Sequence, residues 1–515
     1  MDQLPAAVPV TLLTLSLIAP VAGRVRASLA FPVALVAATL AALASVLLLD
    51  LVLEEGTQHY DLGGWAPPVG IELVVDEVAA FVTLVVTSVS LLVLIATRRW
   101  ALREAAGREG AFYGLALLLL GGLTGMVVTG DLFNLFVFLE ISSLAAYALV
   151  FIGGRRSMIA GFRYLIIGSI GGAFYLLGVG FIYFATGTLN MLEAQELIAE
   201  AEATRAIHAG AAFIFAGLGL KMALVPMHTW LPDAYQHAPS SVNSLIAPVM
   251  TKVAAYAMLR MFLSVFPDGY LTSITPVADA LVVLGLIGIV YGSVAAASQQ
   301  DLRRMLAYSS ISQLALIAVG VGLASPLAFV AALLHVVNHA AMKATLFLAA
   351  ASVRLQTGLQ RIPELTGIGR RMPITMTAFT VGAVSMVGIP PTAGFFSKWY
   401  MVQAGVGQGQ WAVVVVVLLS SLLTAAYLFK MLERAYLRPA VVEAHHGDSG
   451  AGGGAHGEGH EAHQAAAQGV REEVARASEA PADLWAPLAA LAVATVLLGV
   501  LNVVIVQRVL EPGVS

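Results

Sequence analysis

Apolar stretches of roughly 20 residues, the length that crosses the hydrocarbon core of a bilayer, recur along the whole chain. Fourteen can be drawn, at about 4–22, 29–53, 72–97, 110–129, 131–153, 159–185, 206–237, 240–262, 272–296, 302–322, 326–353, 372–403, 411–436 and 484–507. Such a chain cannot hide its apolar surface in a water-soluble fold, so it reads as an all-α polytopic membrane protein. Composition agrees: 59% of the 515 residues are hydrophobic and 11% charged, where soluble domains carry about 25% charged residues. The opening Met-Asp-Gln-Leu-Pro lacks the basic region of a secretory signal and leads directly into apolar sequence, so the first stretch is expected to be a retained span. With no cysteine there are no disulfides, thiolate metal sites or cysteine-held iron–sulfur clusters. No cofactor is expected in this chain, and a redox centre would have to belong to a partner.

An even number of spans places both termini on one side, and the basic residues say which. Twenty of the 27 Lys and Arg residues fall in the loops and helix ends after spans 1, 3, 5, 9, 11 and 13, from Arg24 and Arg26 through Arg303 and Arg304 to Arg471 and Arg476. The opposite ends hold only Arg205, Arg260 and Arg508. The basic side is therefore expected to be cytoplasmic and both termini external, in a cell membrane. Residues 443–480 break the apolar pattern, being rich in Gly, Ala, Glu and His (His445, His446, His456, His460 and His463). They are too poor in large apolar residues to form a core and are expected to be a mobile cytoplasmic loop. Their histidines have no fixed ligand spacing, so a metal site is not assigned.

The remaining four basic residues, Lys221, Lys252, Lys343 and Lys398, lie inside spans. Each charge at mid-bilayer costs on the order of 3 kcal/mol on the most lenient scale, and four cost on the order of 10 kcal/mol, an expense normally tied to function. The chain has 22 Arg and 5 Lys, so placing Lys at every buried position is informative. Arginine does not release its proton, whereas a desolvated lysine can. Glu140 is the one carboxylate near the middle of a span, with Ser143 and Tyr147 extending its polar face. A structural glutamate held by one lysine is the plainer reading of that residue. Lys221 sits among Gly217, Gly219 and Pro226, which are expected to weaken its helix. Broken helices at membrane depth survive only when they line a cavity or are buried in protein, so Lys221 is expected to face a hydrated interior. Lys252 follows Pro248 by four residues. His335, His339 and Lys343 repeat at i, i+4, i+8, within one broad helix face, and suggest a relay; helix-packing glue is the plainer reading of the two histidines. Lys398 follows the interruption Gly388-Ile-Pro390-Pro391-Thr-Ala-Gly394.

Spans 4–8 and 9–13 are two units of five helices whose fourth member is interrupted and carries Lys221 or Lys398. Five is odd, so the units must have opposite orientation, an inverted repeat with discontinuous helices 7 and 12. Residue-level identity between them is not evident. The expected organisation is 1–109 for spans 1–3, 110–262 and 272–436 for the repeats, 437–483 for the loop, and 484–515 for span 14 and the C-terminus.

The segments TGDLFNLFVFLEISSLAAYAL, GLKMALVPMHTWLPDAYQHAPSSVNSLIAPVMTKVAAY, QQDLRRMLAYSSISQLALI, LLHVVNHAAMKATLFL and GIPPTAGFFSKWY resemble the antiporter-like proton-translocating subunits of respiratory complex I and of Mrp multi-subunit Na+/H+ antiporters. The resemblance covers about residues 70–435. Within that group the GDLFNLFVFLE form and the fourteen spans look most like the D-type subunit of the Mrp systems. The resemblance implies that Glu140 and Lys221 are the essential pair of helices 5 and 7 and Lys252 the connecting lysine of helix 8. It makes the histidines of helix 11 a relay segment and Lys398 the terminal lysine of helix 12; the role of Lys343 it leaves less defined. It also implies partner membrane subunits of the Mrp A, B, C, E, F and G types, H+ and Na+ as transported ions, and no nucleic acid. No cluster of hard oxygen ligands lies inside the spans, so the Na+ route is expected in other subunits. Two alternatives stay open: a proton-pumping subunit of an NADH:quinone oxidoreductase, and a structural or assembly subunit.

Overall fold

The computed structural model describes residues 3–200, 204–438, 473–474 and 476–514. Most of the segment expected to be a loop at 437–483, including its five histidines, lies outside the described residues. In chain order the elements are α1 (Leu4–Val25), α2 (Ala30–Glu55), β1 (Gln58–Asp61), β2 (Glu72–Val75), α3 (Glu77–Glu104), α4 (Glu109–Val128), α5 (Leu132–Phe151) and α6 (Arg155–Thr186). There follow α7 (Met191–Glu200), α8 (Arg205–Lys221), α9 (Trp230–His237), α10 (Ser240–Ser264), α11 (Val277–Ser298), α12 (Leu302–Gly322) and α13 (Pro326–Thr357). The chain continues through α14 (Ile368–Arg371), α15 (Pro373–Val387), α16 (Ala393–Gly407), α17 (Trp411–Leu432) and α18 (Ala482–Val500).

Among the described residues, 12 helices are long and apolar enough to cross a membrane. The other two expected spans, 206–237 and 372–403, are each split into two helices: α8 with α9, and α15 with α16. Both expected interruptions are therefore present. The sequence reading missed the antiparallel β1–β2 hairpin, with Gln58 opposite Val75, and the short amphipathic α7. Helix ends alternate between two rims, as the distribution of basic residues requires. At the basic rim Glu104 accepts from the backbone N–H of Ser240 and Ser241 and so caps α10. There too Arg163 pairs with Asp233 at 3.0 Å. The hairpin rim holds β1–β2, α7 and an Asp76–Arg260 ion pair.

One expectation needs correction. Buried bases are not all lysine: Arg260 and Arg303 are buried as well. Both lie near helix ends, where a carboxylate or free carbonyls can satisfy a permanent charge: Arg260 bonds Asp76, and Arg303 donates to the carbonyls of Gln236 and Ala238. Gly217, four residues before the end of α8, has a further role that the sequence reading lacked: it lets α8 pack closely on α6, because a Cβ there would stand 2.6 Å from Tyr175 N and 2.7 Å from the Gly171 carbonyl.

Correspondences between the two units appear where the sequence showed none. Asp131 caps α5 and Asp301 caps α12, the second helix of each unit. Each aspartate also forms an isolated antiparallel bridge to the segment following the third helix, Asp131 with Asn190 and Asp301 with Arg361. Those third helices, α6 and α13, both end on a left-handed glycine, Gly187 (φ 77°) and Gly358 (φ 74°). One set lies at the hairpin rim and the other at the basic rim.

The most deeply buried helices are α10, α12 and α13. Nearly all of the apolar stretch of each is buried, whereas α1, α6, α11 and α17 bury less than half of theirs. The enclosed α10 and α13 carry Lys252, His335, His339 and Lys343.

Candidate functional site

Lys221 is the last residue of α8. Its Nζ donates to Glu140 Oε1 at 3.0 Å, to Ser143 Oγ at 2.8 Å and lies 3.4 Å from Tyr147 OH, so the stripe read from α5 converges on this one ammonium. The lysine side chain is 5% exposed and the Glu140 side chain 24%. The carbonyl end of α8 adds favourable potential for a cation, since the last carbonyls of a helix carry partial negative charge. Beyond Lys221 the chain leaves helical geometry: Ala223 takes a left-handed φ of 62°, and the Leu220 carbonyl accepts from both Ala223 N and Trp230 Nε1, each at 3.1 Å.

Two residues that the sequence reading overlooked shape this pair. A Cβ on Gly172 would stand 2.2 Å from Glu140 Oε1, and one on Gly168 would stand 1.9 Å from Tyr147 OH. Both glycines lie on α6, four residues apart, so one glycine face of that helix accommodates the acid and the phenol. The available signal was the Gly168–Gly172 spacing in a helix otherwise read only as a span.

The second break is held differently. Gly388 ends α15 with φ 91°, and a Cβ on Gly394 would lie 1.9 Å from the Ser385 carbonyl, so the two half-helices touch backbone to backbone. Lys398, buried on α16, donates to the Met386 carbonyl at 2.8 Å, to the Val387 carbonyl at 3.1 Å and to Ser421 Oγ at 3.2 Å. It thus caps the carbonyl end of α15. From α13, Asn338 donates to the Ala393 carbonyl at 2.7 Å and His335 Nδ1 shares a 2.9 Å hydrogen bond with Ser397 Oγ, the residue beside Lys398.

The sequence-identified groups fall into two sets. Glu140 and Lys221 form a directly bonded pair. Lys252, His335, His339, Lys343 and Lys398 form a cluster: both histidines lie within charge–charge range of Lys252 and Lys398, and His339 also of Lys343. The imidazoles stack with centroids 5.7 Å apart, while His335 Nε2 and both nitrogens of His339 have no hydrogen-bond partner among the described residues. Lys252 turns back onto the Ala247 carbonyl of its own helix at 2.6 Å. Lys343 leaves the histidine line and donates to α12, at 2.8 Å to the Leu306 carbonyl and 2.5 Å to Ser309 Oγ. Among the described residues no direct hydrogen bond joins the pair to the cluster, and the cluster contains no carboxylate partner for its lysines. Bound water is the physical means by which such groups exchange protons.

Residues 129–424 match the family described as NADH:quinone oxidoreductase/Mrp antiporter, transmembrane. The chain belongs to this family, whose members are antiporter-like membrane subunits of Mrp or complex I type. It is 42% identical over 514 residues to the N subunit of the NADH-quinone oxidoreductase of Desulforudis audaxviator, covering 98% of each chain. It is 31% identical over 394 residues to the D-type subunit of the Na+/H+ antiporter of Alkalihalophilus pseudofirmus, covering 76% of this chain and 78% of that one. A chain of the Mrp complex from Dietzia sp. DQ12-45-1b has a similar structure, with a TM-score of 0.84 and 26% identity over 99% of this chain and 96% of that one.

Proposed function

We propose that this chain is the proton-translocating subunit of a multi-subunit cation/H+ antiporter, moving protons along the buried line from Glu140 and Lys221 through Lys252, His339 and His335 to Lys398, with Lys343 at its side. The observation that carries the reading is the Glu140–Lys221 pair at the break of α8, bonded at 3.0 Å. Paired, the carboxylate favours the charged lysine; separated, burial favours the neutral amine and release of a proton. Lys398 at the second break gives the line an end where the proton can leave. The five basic groups of the cluster, Lys398 included, repel one another when charged, so an added proton is shared among them and favours departure of another. The likeness to the Dietzia Mrp complex and to the D-type antiporter subunit supports cation exchange as the coupled process, with Na+ carried through the companion subunits. The corresponding setting is a cell membrane, with the basic rim cytoplasmic and the termini outside.

One observation favours a second reading. The 42% identity over nearly the whole chain is to the N subunit of a quinone oxidoreductase, which supports the same proton line being driven by redox energy. Purified complex in sealed vesicles distinguishes the two: an imposed Na+ gradient drives proton movement through an antiporter, and electron transfer to a quinone drives it through the alternative. Loss of either flux in Glu140→Gln, with the complex intact, supports the proton line. Retained flux reduces the buried charges to a structural role.

A further inference from the structure

A cavity of about 360 Å³ lies between α8 and α11 at the surface of the chain, within the size range of small-ligand sites. It runs along one face of α8 from His208 past Ala212 to Ala216, about 12 Å at 1.5 Å per residue. That is close to one leaflet, half of a hydrocarbon core about 30 Å thick. Ala212 and Ala280, on opposing walls, are exposed, so the cavity opens sideways as well as at the hairpin rim. Its inner end is closed by Leu224 and Met227 of the broken segment after Lys221.

The mouth differs from the walls. His208 Nε2, Tyr270 OH and Thr275 Oγ1 are buried and have no hydrogen-bond partner among the described residues. The rings of His208 and Tyr270 are 5.9 Å apart, and His208 and Thr275 both line the cavity. Each of the three can donate a hydrogen bond, and buried polar atoms are rarely left unmatched, so the missing group is rich in acceptors. Arg205, three residues before His208 on the same side of α8, is exposed and adds positive charge nearly one turn further toward the rim. An apolar slot one leaflet deep, topped by donors and a cation, matches an amphiphile with one alkyl chain inserted and an anionic, acceptor-rich head at the rim.

We propose that this cavity is a binding site for a bilayer phospholipid, with one acyl chain lying between α8 and α11 and the phosphate held by His208, Tyr270 and Thr275. The chain's end then rests on Leu224 and Met227, one loop away from Lys221.

The test uses the assembled complex in nanodiscs containing phosphatidylglycerol with a photoactivatable diazirine on one acyl chain, followed by peptide mass spectrometry. Peptides covering 208–227 and 277–284 are expected to be labelled. Labelling is expected to fall at least threefold in Ala212→Trp or Ala280→Trp, which fill the slot from opposite walls, and in the combined His208→Ala and Thr275→Ala variant. A diacylglycerol probe with the same chain but no phosphate is expected to label these peptides at least threefold less. Equal labelling by the two probes, labelling indifferent to the tryptophans, or no labelling because a neighbouring subunit covers the slot would each overturn the proposal.

Discussion

Gly172 of α6 and Glu140 of α5 contend for one space: a Cβ at position 172 would stand 2.2 Å from Glu140 Oε1. The carboxylate can reach Lys221 because Gly172 has no side chain. Gly172→Ala is therefore expected to displace Glu140, an overpacking effect of about 1–3 kcal/mol. Proton flux in everted vesicles should drop roughly tenfold, equivalent to about 1.4 kcal/mol in the rate-limiting barrier. Gly180→Ala on the same helix meets open space and serves as the control, with flux near wild type.

Breaking the ion pair from either side should be harsher than removing it whole. Glu140→Gln or Lys221→Met leaves a buried group without its partner, which costs about 3–5 kcal/mol, and the double variant should recover much of that loss. Thermal unfolding of the purified complex measures the stability half of the cycle. Flux should be lost in all three variants, because stability returns in the double variant while the exchangeable proton does not.

Lys398 reports whether charge or proton exchange matters at the second break. Lys398→Arg can still donate to the Met386 and Val387 carbonyls that the lysine bonds at 2.8 and 3.1 Å, so the half-helices should stay joined. A guanidinium does not give up its proton in this pH range. The expected result is an assembled complex of near-normal stability with flux reduced by an order of magnitude or more; normal flux would remove Lys398 from the path.

The Asp76–Arg260 pair at the hairpin rim should behave in the opposite way. It ties the start of α3 to α10 and lies outside the lysine line. Asp76→Asn strands a buried guanidinium, and a destabilisation of about 3–5 kcal/mol follows from the lost partner. The amount of assembled complex should fall, while turnover per assembled complex, measured as flux normalised to immunodetected protein, stays near wild type.

The spans and both breaks were legible because apolar length and proline act locally. Glu140 and the buried lysines stood out because a charge in an apolar stretch needs no partner to be noticed. Partnerships were less visible. Ser143 and Tyr147 were placed beside Glu140 by helical spacing, yet their convergence on Lys221 depends on how α5, α6 and α8 cross. Gly217 was read only in part for that reason: its local effect is to weaken a helix, while its close approach to Tyr175 and Gly171 is a tertiary effect. Lys343 was read as continuing the histidine line, since i+8 preserves a broad face, but the hydroxyl and carbonyl that satisfy it belong to α12. The correspondence of Asp131 with Asp301 escaped notice because one capping aspartate in a helix start is common. It becomes informative when each forms the same bridge at opposite rims.

Glu479, a few residues before α18, accepts from the backbone N–H groups of Ile374 and Thr375 and from Thr375 Oγ1, fastening the start of α15. On the other side of the His-rich stretch, the Arg434 carbonyl accepts from Gly367 N. Both shores of that stretch are thus moored to the same short region, 367–375, at the basic rim. Where α17 ends and α18 begins is therefore set by what holds 367–375, and not by the residues between the two moorings.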